Sequence, residues 1–190
     1  MQTFSVYTLA TAPEKSKSAL QALQKTFGMI PNLIGTMAAS PVLINSLVGM
    51  FGNVHGASFS EAQVQTLLLT DAVTNRCDWA VAFHSTLALN EGIAPADVQA
   101  MRDGHSPKDP QLAPLSTLAR TLIEKRGQLG DQDIDRFIKA GYDKELLLEA
   151  IAAVAASTIT NYVGNVTRPP LETAFQAQAW QPGEMEERAT

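Results

Sequence analysis

Residues 60–84 read SEAQVQTLLLTDAVTNRCDWAVAFH, and this stretch decides the fold class. Ser60 and Gln63 have the three-residue spacing of a capping box, which marks the start of a helix. Apolar residues then follow on most sides of the helical projection, so a largely buried helix is predicted to about Thr74. A second apolar helix is predicted to follow directly and to end before Gly92. The stretch therefore predicts two consecutive core helices.

The rest of the chain repeats this helical spacing, with glycine and proline between the apolar segments, and no two-residue alternation persists long enough to predict a strand. We therefore expect an all-α fold of about eight or nine helices. It should form one domain over residues 1–180, followed by a loosely ordered tail at 181–190. The further helices are predicted at residues 13–27, 33–39, from 41 onward, from 95 onward, at 112–125, 131–140 and 146–159, with a short one after 170.

Composition limits the classes of partner. The formal net charge is −5, and the 14 lysines and arginines among 190 residues are scattered, so nucleic-acid binding is not expected. No signal sequence is recognisable, and no uncharged run reaches the ~20 residues that cross a bilayer, which predicts a cytoplasmic protein without membrane contact. Only 17% of the residues are charged. This favours a homo-oligomer (dimer, trimer or hexamer) that covers apolar helix surface.

Chemistry is concentrated in residues 74–84, TNRCDWAVAFH, which contain the chain's one cysteine. This segment resembles the signature of the alkylhydroperoxidase-D-like and carboxymuconolactone-decarboxylase-like superfamily, Asn-x-Cys-x-aromatic-Cys-x-x-x-His. Four residues match that pattern: Asn75, Cys77, Trp79 and His84. Similar segments at 27–33 and 161–171 extend the resemblance over most of the chain. The resemblance implies the AhpD-like multi-helix domain.

Two departures from the family pattern affect the expected chemistry. The second cysteine of the family's pair falls on Ala80, and a glutamate often found twelve residues before the first cysteine falls on Gln65. In active family peroxidases the two thiols cycle between dithiol and disulfide with help from the histidine and the glutamate. With Cys77 alone, an intrachain disulfide cannot form.

Cys77 and His84 are the candidate catalytic residues, and both are expected to line one cavity. A thiol in the first turn of a helix can have a lowered pKa, whereas a lone buried cysteine is ordinarily an inert small hydrophobe. His84 is interpreted either as a donor or base in a remnant pocket or as a satisfied core histidine.

Gln65 and Asp71 are possible supporting residues because both project from the apolar part of their helix. Asp71 is interpreted as a salt-bridged structural carboxylate or as a group that faces His84 or a ligand. Gln65 can hold a water or a substrate carbonyl but cannot exchange protons at neutral pH. His55 and His105 are expected to be exposed loop residues. The spacing of the histidines predicts no metal site, and no cofactor motif is present.

Three functions follow as hypotheses. The resemblance implies an alkylhydroperoxidase-like oxidoreductase, here with a degenerate site in which Cys77 alone is oxidised by peroxide and recovered by an external thiol. The second hypothesis is decarboxylase-like proton transfer on a small carboxylated or lactone substrate through His84. The third is a non-catalytic or ligand-binding oligomer that keeps the fold without the pair of thiols.

Overall fold

The computed structural model describes residues 4–182, and this part of the chain is all-helical, with no strand. This confirms the all-α prediction and the expected number of helices. From residue 183 onward, the predicted loosely ordered tail lies outside the described residues. Two short 3-10 helices, Glu14–Ser16 and Thr173–Gln178, flank nine α-helices: α1 (Lys17–Phe27), α2 (Asn32–Met37), α3 (Pro41–Val54), α4 (Glu61–Thr74), α5 (Asp78–Asn90), α6 (Pro95–Arg102), α7 (Leu112–Glu124), α8 (Asp131–Lys139) and α9 (Lys144–Thr167).

Helices α4 and α5 form an antiparallel hairpin at the centre of the fold. The predicted capping box is present, since Gln63 N–H donates to the Ser60 hydroxyl (3.3 Å) and Ser60 N–H donates to Gln63 Oε1 (2.9 Å). Arg76 takes a left-handed conformation (φ 55°) in the connection. Cys77 follows as the extended N-cap of α5, with φ −96° and ψ 97°. The cysteine therefore lies just outside the helix.

Helix α9 packs against α3, α4, α5 and α7. Asp143 caps it as predicted by accepting from Leu146 N–H (2.8 Å). The helix continues well past the predicted end at residue 159, because Thr160 bonds back to the Ser157 carbonyl and Asn161 bonds to a buried carboxylate. By length and composition alone α9 could span a membrane, and 44% of its most apolar stretch is buried in this fold.

The outer side of α9 carries exposed apolar side chains. Such a surface is what the predicted homo-oligomer would cover, and the oligomer stays a prediction. The exposed apolar residues along this helix are Leu148, Ile151, Ile159, Tyr162 and Val166.

Candidate functional site

A cavity of about 530 Å³ lies between the α4–α5 hairpin and the helices α1, α2 and α3. Three α4 residues and five α5 residues reach it at three- and four-residue intervals, so one face of each helix lines it. Its size falls within the ~300–1,000 Å³ range of small-molecule pockets. The lining residues are Ala22, Leu23, Thr26, Phe27, Leu33, Ile34, Val48, Phe51, Gly52, His55, Glu61, Gln65, Leu68, Trp79, Ala80, Phe83, His84, Leu87, Glu91 and Thr160.

Aromatic rings supply much of the apolar wall. Trp79 and Phe83 stack with ring centroids 5.0 Å apart, and Phe27 meets Phe83 edge to face at 5.6 Å. The indole N–H of Trp79 donates to Glu172 (2.9 Å), which fixes the orientation of that ring. The wall suits a flat apolar ligand, since aromatic faces and edges pack well against another ring.

His84 and Gln65 form the polar centre of this wall. Gln65 Oε1 lies 3.0 Å from His84 Nδ1, so as placed the imidazole donates from Nδ1 and keeps its lone pair on Nε2. The two side chains are nearly inaccessible from outside, with 7% of His84 and 3% of Gln65 exposed. The structure thus brings together two of the sequence-predicted residues.

His84 is held in its neutral form. Burial lowers its pKa from 6.5 to about 3, and the nearby His55 adds a smaller effect in the same direction. Gln65 contributes no negative charge that would stabilise an imidazolium. A neutral imidazole with such a low pKa is a hydrogen-bonding group and a poor proton acceptor at neutral pH.

Sequence reasoning missed an acidic rim at one end of the cavity. Glu61 begins α4 and Glu91 follows α5, so in the hairpin both lie at the end remote from the connection. His55, expected to be an exposed loop residue, is half-buried and lies 2.9 Å from Glu61 through Nδ1. The loop position is as expected, but the contact with Glu61 leaves the side chain only partly exposed. The sequence signal for this rim was the four-residue interval between Glu61 and Gln65, which places both side chains on one face of α4.

Cys77 does not line the cavity. Its side chain is 0% exposed, and it packs against α9, where a Cβ added to Gly164 would lie 2.6 Å from the sulfur. Burial raises the pKa of the thiol from 9.0 to about 11, with smaller increases from the nearby Asp78 and Asp71 carboxylates. Of the two interpretations of Cys77, the inert small hydrophobe fits this burial, since desolvation outweighs the effect of the helix dipole at this N-cap. The shared cavity expected for Cys77 and His84 is not found.

Asp71 is buried away from the cavity, and within the described residues it has no salt bridge and does not contact His84. Neutral groups bind it: Asn75 at 2.8 Å, Thr158 at 3.0 Å and Asn161 at 2.8 Å all donate to the carboxylate. Burial raises its pKa from 3.8 to about 7, although the hydrogen bonds from Thr158 and Asn75 oppose the shift. Asp71 is thus a structural carboxylate, as one interpretation had it, but neutral side chains bind it in place of the expected cation. It does not face His84 or the cavity.

Comparison with solved structures gives extensive matches at low sequence identity. One is the alkylhydroperoxidase AhpD core, an uncharacterized peroxidase-related protein from Ralstonia eutropha JMP134, with TM-score 0.79 and 15% identity over 90% of this chain and 93% of that one. A second is an uncharacterized peroxidase-related protein from Silicibacter sp. TM1040, with TM-score 0.77 and 14% identity over 93% and 95%. The chain has the AhpD-like fold. No family model and no curated protein matches its sequence.

Other chemistry occurs on the AhpD-like fold. The debrominase Bmp8, in a cysteine-to-alanine form complexed with 2,3,4-tribromopyrrole, matches with TM-score 0.78 and 15% identity over 94% of this chain and 96% of that one. At such identities the likeness concerns the fold and not the reaction. The function of this chain must therefore be argued from its own cavity.

Proposed function

We propose that this chain binds a small, mainly apolar molecule in its central cavity and that Cys77 takes no part in peroxide reduction. One observation carries the proposal: the cavity contains the His84–Gln65 pair and Ala80, while the only thiol lies outside it. The family's second cysteine would occupy position 80, beside His84 on the cavity wall. Alanine there leaves the cavity without a nucleophilic sulfur.

The chemistry of Cys77 supports a thiol-independent function. The thiolate is the form that attacks peroxides, and a pKa of about 11 leaves only ~0.01% of the thiol ionised at pH 7. A peroxide would also need a route to a side chain with no exposed surface. The peroxidase hypothesis therefore requires an opening motion between α5 and α9.

The cavity itself supports ligand binding. Aromatic walls, a usable volume and a buried polar pair are the usual features of a small-molecule site. The structural neighbour Bmp8 binds a brominated pyrrole, so one protein with this fold accepts a small aromatic ligand. Decarboxylase-like proton transfer is not favoured, because His84 has a pKa of about 3 and Gln65 cannot exchange protons. We expect the binding protein to be cytoplasmic and homo-oligomeric.

Binding can be tested with indole and ethylbenzene by isothermal titration and thermal shift. Leu87→Trp should narrow the cavity and reduce affinity several-fold, because Leu87 lines it. Leu89→Trp is the matched control, since Leu89 is also half-buried on α5 but does not line the cavity. At a tenfold excess over Kd, either ligand should stabilise the wild type by about 1.4 kcal/mol.

Two results would contradict the proposal. One is an absence of binding by both probes. The other is thiol-dependent turnover of tert-butyl hydroperoxide that Cys77→Ser abolishes, since this would restore the peroxidase hypothesis.

A further inference from the structure

The polar pair in the cavity has hydrogen-bonding capacity that the protein does not use. Gln65 Nε2 and His84 Nε2 make no hydrogen bond within residues 4–182, although their partner atoms bond to each other. Both atoms retain some accessible surface, because the unpartnered side-chain atoms that are fully enclosed belong to other residues. Both residues line the cavity. Buried polar atoms left open in this way are satisfied when a ligand supplies the complementary group.

The pair presents at least one donor and one acceptor whichever way its atoms are arranged. With Gln65 Oε1 accepting from His84 Nδ1, the amide nitrogen is the free donor and the imidazole Nε2 is the free acceptor. If the amide is rotated and the imidazole takes its other neutral tautomer, Gln65 Oε1 becomes the acceptor and His84 Nε2–H becomes the donor. The neutral state of His84 is required in both arrangements, because an imidazolium would offer a second donor.

The charge of the cavity limits the ligand further. Among the residues that the structure describes, no lysine or arginine lines it, whereas Glu61 and Glu91 do. A ligand carboxylate would lose its hydration without gaining a cation, which costs several kcal/mol when a charge is buried alone. The carboxylated substrates of the decarboxylase hypothesis are therefore poor candidates.

We infer that the Gln65–His84 pair selects an uncharged carboxamide carried on an aryl body. A carboxamide places an N–H donor next to a C=O acceptor, which complements the free acceptor and donor of the pair. The aryl body packs against Trp79, Phe83 and Phe27, whose rings are already stacked or edge to face. This inference rests on the proposed function, because it names the ligand class of the same cavity.

A series of similarly sized probes tests the inference by isothermal titration: benzamide, acetophenone, benzoate, benzylammonium and ethylbenzene. Acetophenone keeps the carbonyl but lacks the donor, benzoate and benzylammonium are charged, and ethylbenzene has no polar group. Benzamide should bind at least tenfold more tightly than each of the others. Leaving one member of a buried pair unsatisfied typically reduces affinity by that factor or more.

Gln65→Met removes the amide and keeps the length of the side chain. It should lower benzamide affinity about tenfold and leave ethylbenzene affinity within about twofold, since only benzamide uses the pair. Thermal unfolding of the variant checks that it folds. If the variant does not fold, the wild-type series still decides the question.

The outcomes separate this inference from the proposed function. Equal binding of all five probes would overturn the carboxamide inference and leave ligand binding intact. Tighter binding of benzylammonium would show that the acidic rim selects the ligand, and tighter binding of benzoate would show that charge is not excluded. Both results overturn the inference alone. If neither indole nor any of the five probes binds, the proposed function is overturned as well.

Discussion

The start and the middle of helix α5 place their functional groups in different surroundings. At the N-terminal end the Cys77 sulfur packs against Gly164 of α9 and has no exposed surface. Two turns later the His84 imidazole, paired with Gln65, lines a cavity of about 530 Å³. Burial raises the pKa of the thiol and lowers that of the imidazole. In both cases desolvation favours the uncharged form, but only His84 can meet a ligand.

The comparison teaches that position 80, and not position 77, determines whether this cavity contains a thiol. Ala80 is one helical turn before His84 and lines the cavity with it. A sulfur at that position would face the aromatic wall and an imidazole. The sulfur of Cys77 has instead become part of the packing between α5 and α9.

The largest expected effect is on thiol reactivity. We compare the wild type, whose thiol is Cys77, with the double variant Cys77→Ala/Ala80→Cys, whose thiol faces the cavity. At pH 7.5 the variant should react with N-ethylmaleimide at least about 100-fold faster. Position 80 lines the cavity, whereas the enclosed sulfur of Cys77, whose pKa burial raises, must wait for an opening motion before its thiolate can react.

Unfolding both proteins in guanidinium provides the control, because the two thiols should then react at similar rates. A native Cys77 that reacts as quickly as the introduced thiol would contradict the contrast between the enclosed N-cap position and the cavity wall.

The second prediction concerns the packing of Cys77 on α9. Gly164→Ala should destabilise the protein by about 2 kcal/mol, because the new Cβ would lie 2.6 Å from the sulfur and overpacking outweighs the gain in helix propensity. Cys77→Ala in the same protein should restore most of this loss by removing the sulfur. Urea unfolding of the two single variants and the double variant measures the coupling.

Gly49→Ala is the control for this cycle. Gly49 lies within α3, and an added Cβ there would meet nothing within 4 Å. Alanine should therefore stabilise the helix by up to about 1 kcal/mol. Additive effects of Gly164→Ala and Cys77→Ala would show that the sulfur is not held against α9.

Local signals in the sequence predicted the helices well. The Ser60 capping box and the Asp143 cap are both present, because a cap depends on residues three positions apart. The end of α9 was predicted too early, since Asn161 is polar but pairs with Asp71 inside the core. Such a partnership across 90 residues leaves no periodic signal in the chain.

The candidate site was only partly predictable for the same reason. His84 and Gln65 were identified as candidates, and they do pair. The position of Cys77 was extrapolated along the helix, but the residue is an extended N-cap, so helical spacing does not describe where its side chain lies. The cavity depends on how α1, α2 and α3 pack against the hairpin, and His55 reaches it only through that packing.

The smallest expected effect is the pH dependence of ligand affinity beside His84. Because burial lowers the pKa of His84 to about 3, the imidazole stays neutral from pH 5 to pH 8, and benzamide affinity should change less than about twofold. A histidine with an ordinary pKa near 6.5 would be about 97% protonated at pH 5 and would lose affinity roughly 30-fold. The titration is best made in His55→Gln, since His55 also lines the cavity and lies beside Glu61. If this variant still loses affinity as the pH falls to 5, His84 is protonated in that range and the prediction is wrong.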